Sequence, residues 1–64
     1  MEWIKTDDGQ MINPMHISCI FIRRGNLSHL CFQMMDGTTI DHIESAEWVY
    51  LEDNLMEMVK ELKN

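Results

Sequence analysis

Turn-forming clusters interrupt the first two thirds of this chain at short intervals, and after Ser45 they stop. Thr6-Asp7-Asp8-Gly9, Asn13-Pro14, Arg24-Gly25-Asn26-Leu27 and Asp36-Gly37 leave room between them only for short extended pieces. Asp-Gly is a strong hairpin signal, and proline removes an amide donor while forcing its predecessor toward extended geometry. The clusters predict a first hairpin from residues 3–5 and 10–12, then strands over 16–23, 28–35 and 38–43. Beyond Ser45 the period changes. Trp48, Leu51, Leu55, Met58, Val59 and Leu62 recur at helical spacing on one side, which predicts a helix over about 46–62. Ser45 is placed to cap it, Glu47 stands in its first turn, and Lys60 and Lys63 in its last. Strands followed by one helix define an α+β fold: a small antiparallel β-sheet of about four strands with the C-terminal α-helix packed on one face.

Sixty-four residues make a single small domain. A chain of this size buries only about 60% of its unfolded surface and has little core to spare. A composition that is 45% hydrophobic still separates it from disordered sequences. The first residues lack the basic and apolar regions of a signal peptide, and no apolar run reaches the roughly 18 residues of a membrane span. The expected location is cytoplasmic, where Cys19 and Cys31 are thiols.

A central turn over 24–27 pairs Arg23 with Ser28. Phe21 then faces Leu30, Cys19 faces Phe32 and Ile17 faces Met34, an apolar set suited to lie under the helix. The opposite face would carry Ile20, Ile22, His29 and Cys31. It is too apolar for full wetting, so a second copy packed on it, in a homodimer, is the expected cover. This register also sends the two cysteines to opposite sides and excludes a disulfide between them.

Metal and catalytic readings find little support. Three histidines and two cysteines show no paired ligand spacing, Cys31 and His29 lack an oxyanion site, and the glycines form no phosphate-binding loop. The chain reads as a non-enzyme that needs no metal and no cofactor.

Charge is more informative. Residues 25–59 contain no lysine or arginine, and the net charge is −6. Within that run Asp36, Asp41, Glu44, Glu47, Glu52, Asp53 and Glu57 make a field of one sign, which repels nucleic acid and membrane surfaces and steers basic protein surfaces toward it. Asp53, Glu57 and Glu61 follow each other at four-residue spacing, and the mild destabilisation of such a row is not explained by folding. Tyr50 rises among them with Val49 and Met56 beside it, a composition found in binding hot spots. Tyr50 and seven carboxylates, Asp36, Asp41, Glu44, Glu47, Asp53, Glu57 and Glu61, are the candidate surface for a basic protein partner, with no direct contact to nucleic acid. The plain alternative is that the charge only keeps a small domain in solution.

The run Asn13-Pro14-x-x-Ile17-x-x-Ile20, with Gly37 and then Glu44-Ser45-x-Glu47-x-Val49, is similar in rhythm to a family of small flagellum-associated bacterial proteins across about the middle half of the chain. No function is carried over from it. In size and charge the chain also resembles the small acidic inhibitors that phages deploy against bacterial defence systems, including anti-CRISPR proteins that present carboxylates where a nucleic acid would bind. The functional expectation is therefore a binding module that blocks a basic surface. The alternative is a small homo-oligomeric accessory protein that uses its outer sheet face.

Overall fold

The structure is a computed structural model that describes residues 2–63, the side chains of 62 and 63 excepted. Leu62 and Lys63, expected on the helix stripe and in its last turn, therefore have side chains outside the described set. Two antiparallel sheets precede one helix.

The first sheet is a hairpin of β1 (Ile4–Lys5) and β2 (Met11–Ile12), with Ile4 opposite Ile12. Its turn is held by Thr6, which is buried. The Thr6 hydroxyl accepts the Gln10 N–H at 3.0 Å and donates to the Asp8 carboxylate, while Gly9 (φ 92°) donates its N–H to the Thr6 carbonyl. Only a residue without a Cβ takes that φ freely. Asn13 then caps a single 3-10 turn, Pro14–His16, by accepting the Met15 N–H at 3.1 Å. Pro14, at the first position, is buried.

The second sheet has the order β3 (Ile17–Arg23), β4 (Ser28–Met34), β5 (Thr39–Ser45). Asp36 organises the β4–β5 turn, its Oδ1 accepting both the N–H and the hydroxyl of Thr38 at 2.9 and 2.7 Å. Gly37 supplies the left-handed residue there, at φ 92°.

The expected register of β3 on β4 is corrected by one residue. Arg23 pairs with His29, so the connection is longer than four residues, and Ile22 faces Leu30 while Ile20 faces Phe32. A one-residue slip turns every side chain of a strand to the other face. Phe21 and Cys19 leave the core side and Ile20 and Ile22 enter it. The slip changes what β3 puts under the helix: Ile20 and Ile22 come to lie beside Leu30 and Phe32, and Cys19, the partly buried Phe21 and the charged Arg23 turn outward. Extra residue Ser18 forms a bulge, and beyond it Ile17 pairs with Met34, as expected. The expected dimer face therefore does not exist as one surface. Ile20 and Ile22 lie on the helix side of the sheet, and His29 and Cys31 lie on the other.

Helix α1 (Trp48–Lys63) starts two residues later than expected. Ser45 Oγ accepts the Glu47 N–H at 3.0 Å, and the Glu47 carbonyl accepts the Leu51 N–H. Glu47 thus precedes the first turn instead of lying in it. The stripe is as the period predicts: Leu51 is buried, and Trp48, Leu55, Met58 and Val59 are partly buried.

Leu30, Phe32 and Leu51, each with no exposed surface, form the centre of this core. Phe32→Ala should destabilise the domain by about 3–5 kcal/mol, because the ring's transfer energy is lost and a cavity remains. In a chain this small, urea denaturation followed by circular dichroism should find little folded protein.

Candidate functional site

The eight carboxylate and tyrosine positions singled out in the sequence fall into separate groups. Asp36 is at the β4–β5 turn. Hydrogen bonds from the Thr38 hydroxyl and then its N–H hold its carboxyl below the usual range. Asp41 and Glu44 stand on the sheet face away from the helix, opposite Cys31 and His29. Glu47, Tyr50, Asp53, Glu57 and Glu61 belong to α1 and the residue before it, and all are exposed.

On the outer sheet face the carboxylates are already engaged. Arg23 reaches across β4 and donates from Nη2 to both oxygens of Asp41 at 3.1 Å. His29 Nδ1 lies 3.6 Å from Asp41 and 3.8 Å from Glu44. Beneath this network is Cys31, with no exposed surface, whose Sγ donates toward Asp41 Oδ1 at 3.2 Å. Burial, then the hydrogen bond and charge of Asp41, push the thiol up to about 11, against a smaller opposing pull from Arg23. The Arg23–Asp41 pair is half-exposed, so it contributes about 0–1 kcal/mol. Its consequence is positional: Asp41 is spoken for and the thiol beneath it is shielded.

The cysteine environments are opposite to those expected, with Cys19 exposed and Cys31 buried. Both stand on the same face, because Cys19 is two residues from Phe21, the partner of Cys31. They are diagonal neighbours, roughly 7–8 Å apart against the roughly 4 Å between Cβ atoms that a disulfide needs. They remain thiols.

His42, the extra residue in a bulge of β5, stacks on Phe32 at 5.1 Å between ring centroids. Its Nδ1 is buried without a hydrogen-bond partner among the described residues, and burial holds its pKa below the ordinary 6.5, partly countered by Asp7. Among the described residues no three of His, Cys, Asp and Glu are grouped so as to hold a metal ion. No helix of the described residues is long and apolar enough to cross a membrane.

The helix surface differs in kind from the sheet face. Among the described residues, no ion pair engages Glu47, Asp53 or Glu57, so their field projects outward. Tyr50, Val49 and Met56 are exposed in the same region, Tyr50 at 50%. On the flank toward β3, a hollow of about 510 Å³ opens between helix and sheet, lined by Ile22, Trp48, Leu55 and Met56 with Glu52 and Asp53 at its acidic edge. The Trp48 indole N–H donates to Glu52 at 2.9 Å, and the Arg24 guanidinium lies 4.3 Å from the centre of the Trp48 ring.

This hollow was not foreseen. The four-residue spacing of Trp48 and Glu52 is a sequence signal for their contact, whereas the approach of Arg24 and Ile22 depends on the register of β3. The consecutive arginines at the end of β3 are both engaged within the molecule, Arg23 by Asp41 and Arg24 by Trp48. No protein family, curated protein or solved structure matches the chain.

In the native protein a thiol reagent should modify Cys19 quickly and Cys31 only on unfolding. Equal rates would contradict the burial of Cys31. Because its folded pKa is raised, Cys31 contributes stability that is complete below the unfolded value of 9.0 and is lost as pH rises toward about 11. The alkaline loss of stability should shrink in Cys31→Ala. His42 has the opposite sign, since its pKa is lowered, so stability falls as the pH drops below 6.5. His42→Gln should flatten that acidic limb in denaturation curves.

Proposed function

We propose that this protein is a non-enzymatic acidic binding module that covers a basic, nucleic-acid-binding surface of a partner protein with the outer face of α1. A phage-encoded inhibitor of a bacterial defence system is the most concrete form of this reading. The observation that carries it is the exposure of Tyr50, Val49 and Met56 beside the carboxylates of Asp53 and Glu57, which no ion pair engages among the described residues. Unpaired carboxylates steer a basic surface from a distance, and an aromatic among them supplies short-range contact area. The sheet carboxylates Asp41 and Glu44 contribute less, since Asp41 is neutralised by Arg23 and Glu44 lies near His29.

A second reading, self-association as a small accessory protein, is favoured by Met15 and Met35. They are 74% and 69% exposed and are brought near each other by the hydrogen bond from the Met35 N–H to the His16 carbonyl. Flexible thioethers suit such a contact. Ionic strength separates the two readings, because apolar self-association survives salt that screens steering between charged faces.

Asp53→Lys combined with Glu57→Lys should leave the fold intact, since both side chains are exposed, and should abolish capture of a basic partner at low salt. Each reversal changes the local charge by two and converts attraction to repulsion, so the loss should be mainly in association rate. Tyr50→Ala should instead speed dissociation. Capture by the folded double variant that equals wild type across salt concentrations would remove the acidic-face reading.

A further inference from the structure

The two edges of the three-stranded sheet are unequal. β5 carries a bulge at His42 and displays Asp41 and Glu44, features that discourage another strand from pairing. β3 has neither proline nor lysine, Arg23 is its one charged residue, and its bulge lies near its start, leaving residues 19–23 regular. Its far side has no partner strand among the described residues. Backbone groups at such an edge are a template for an incoming chain.

What lies beside this edge specifies the chain that fits. Ile22 of β3 forms one wall of the acidic-edged hollow, with Trp48, Leu55 and Met56 opposite and Glu52 and Asp53 at the mouth. It is an open groove, not an enclosed pocket. Alternate side chains of a strand laid along β3 would point to the helix side and enter the hollow; the intervening ones would lie beside Cys19 and Phe21. A long cationic side chain suits the hollow chemically, because its aliphatic stem packs on apolar walls while its charged head reaches a carboxylate. Arg24 already shows this chemistry within the molecule, with its guanidinium over the Trp48 ring.

We propose that β3 accepts an extended basic segment of a partner protein as a fourth strand, with alternate arginine or lysine side chains entering the hollow between Trp48, Met56 and Ile22. This rests on the reading of the partner as basic and adds the mode of contact: main-chain pairing for affinity and side-chain insertion for selectivity. Glu52 and Asp53 are the carboxylates that select the cation.

A capped octapeptide alternating valine and arginine tests the proposal, with fluorescence of Trp48 as the readout in a Trp3→Phe background, Trp3 being exposed. Saturable binding is expected, along with none for the valine–glutamate analogue. The decisive probes are two isomers, one N-methylated on its valine amides and the other on its arginine amides, because these amides point to opposite edges of an extended strand. One isomer should lose about tenfold or more in affinity while the other binds like the parent. Met56→Lys should weaken the parent peptide to a similar degree.

Equal affinity of the two isomers would mean charge attraction without strand pairing and would overturn the proposal. So would a dimer seen in sedimentation that the peptide does not dissociate, since a second copy would then occupy β3. Loss of partner capture in the Asp53→Lys, Glu57→Lys variant together with equal binding of the isomers leaves the acidic-face reading standing and removes only strand addition. Discrimination between the isomers together with unimpaired capture by Glu57→Lys alone, a position outside the hollow, does the reverse.

Discussion

The pairing of Ile22 with Leu30 and of Ile20 with Phe32 decides on which side of the sheet every other side chain of β3 stands. Because a strand alternates strictly, placing these isoleucines under α1 forces Phe21, Arg23 and Cys19 to the opposite face. The core then follows. Leu51 comes down on Leu30 and Phe32, Ile40 and Ile43 join as their partners on β5, and the helix is held by its own apolar stripe. The consequences extend past packing, since the same pairing puts Arg23 within reach of Asp41 and Arg24 beside Trp48.

The molecule consequently carries its carboxylates in two states. On the sheet, Asp41 lies between Arg23, His29 and the Cys31 thiol, and its charge is largely spent inside the protein. On the helix, Asp53 and Glu57 have no such partner among the described residues, so their charge acts on whatever approaches. Net charge alone does not separate these states. A half-exposed pair is worth about 0–1 kcal/mol, too little to account for the fold, and it leaves Asp41 half-exposed with a cation already beside it.

A domain this small leaves few places for a function to reside. The central core occupies the helix side of a three-stranded sheet, and the hairpin of β1 and β2, whose turn is held by Thr6, Asp8 and Gln10, buries Ile12. Among the surfaces that remain are the outer side of α1, the edge of β3 that has no partner strand among the described residues, and the hollow between them.

Much of the fold was legible in the residues themselves. Asp8-Gly9, Asn13-Pro14 and Asp36-Gly37 act locally, through left-handed glycines, a missing amide and side-chain caps, so strands and turns could be placed without knowledge of what they pack against. The helix stripe from Trp48 to Val59 was readable for the same reason, as was the row of Asp53 and Glu57 on its far side. The length of the turn between β3 and β4 was not. Arg24-Gly25-Asn26-Leu27 is compatible with more than one connection, and a change of one residue exchanges the inner and outer faces of β3. Only burial of the more aliphatic face beneath α1 selects between them. That choice belongs to the tertiary structure because the turn residues do not separate the registers locally, and the face of β3 that lies under α1 is fixed only when helix and sheet pack together. It reversed the environments of Cys19 and Cys31, dissolved the expected dimer face and created the hollow beside Trp48. The sequence by itself determined the order of elements and the charge of the helix; tertiary packing decided which residues share a surface.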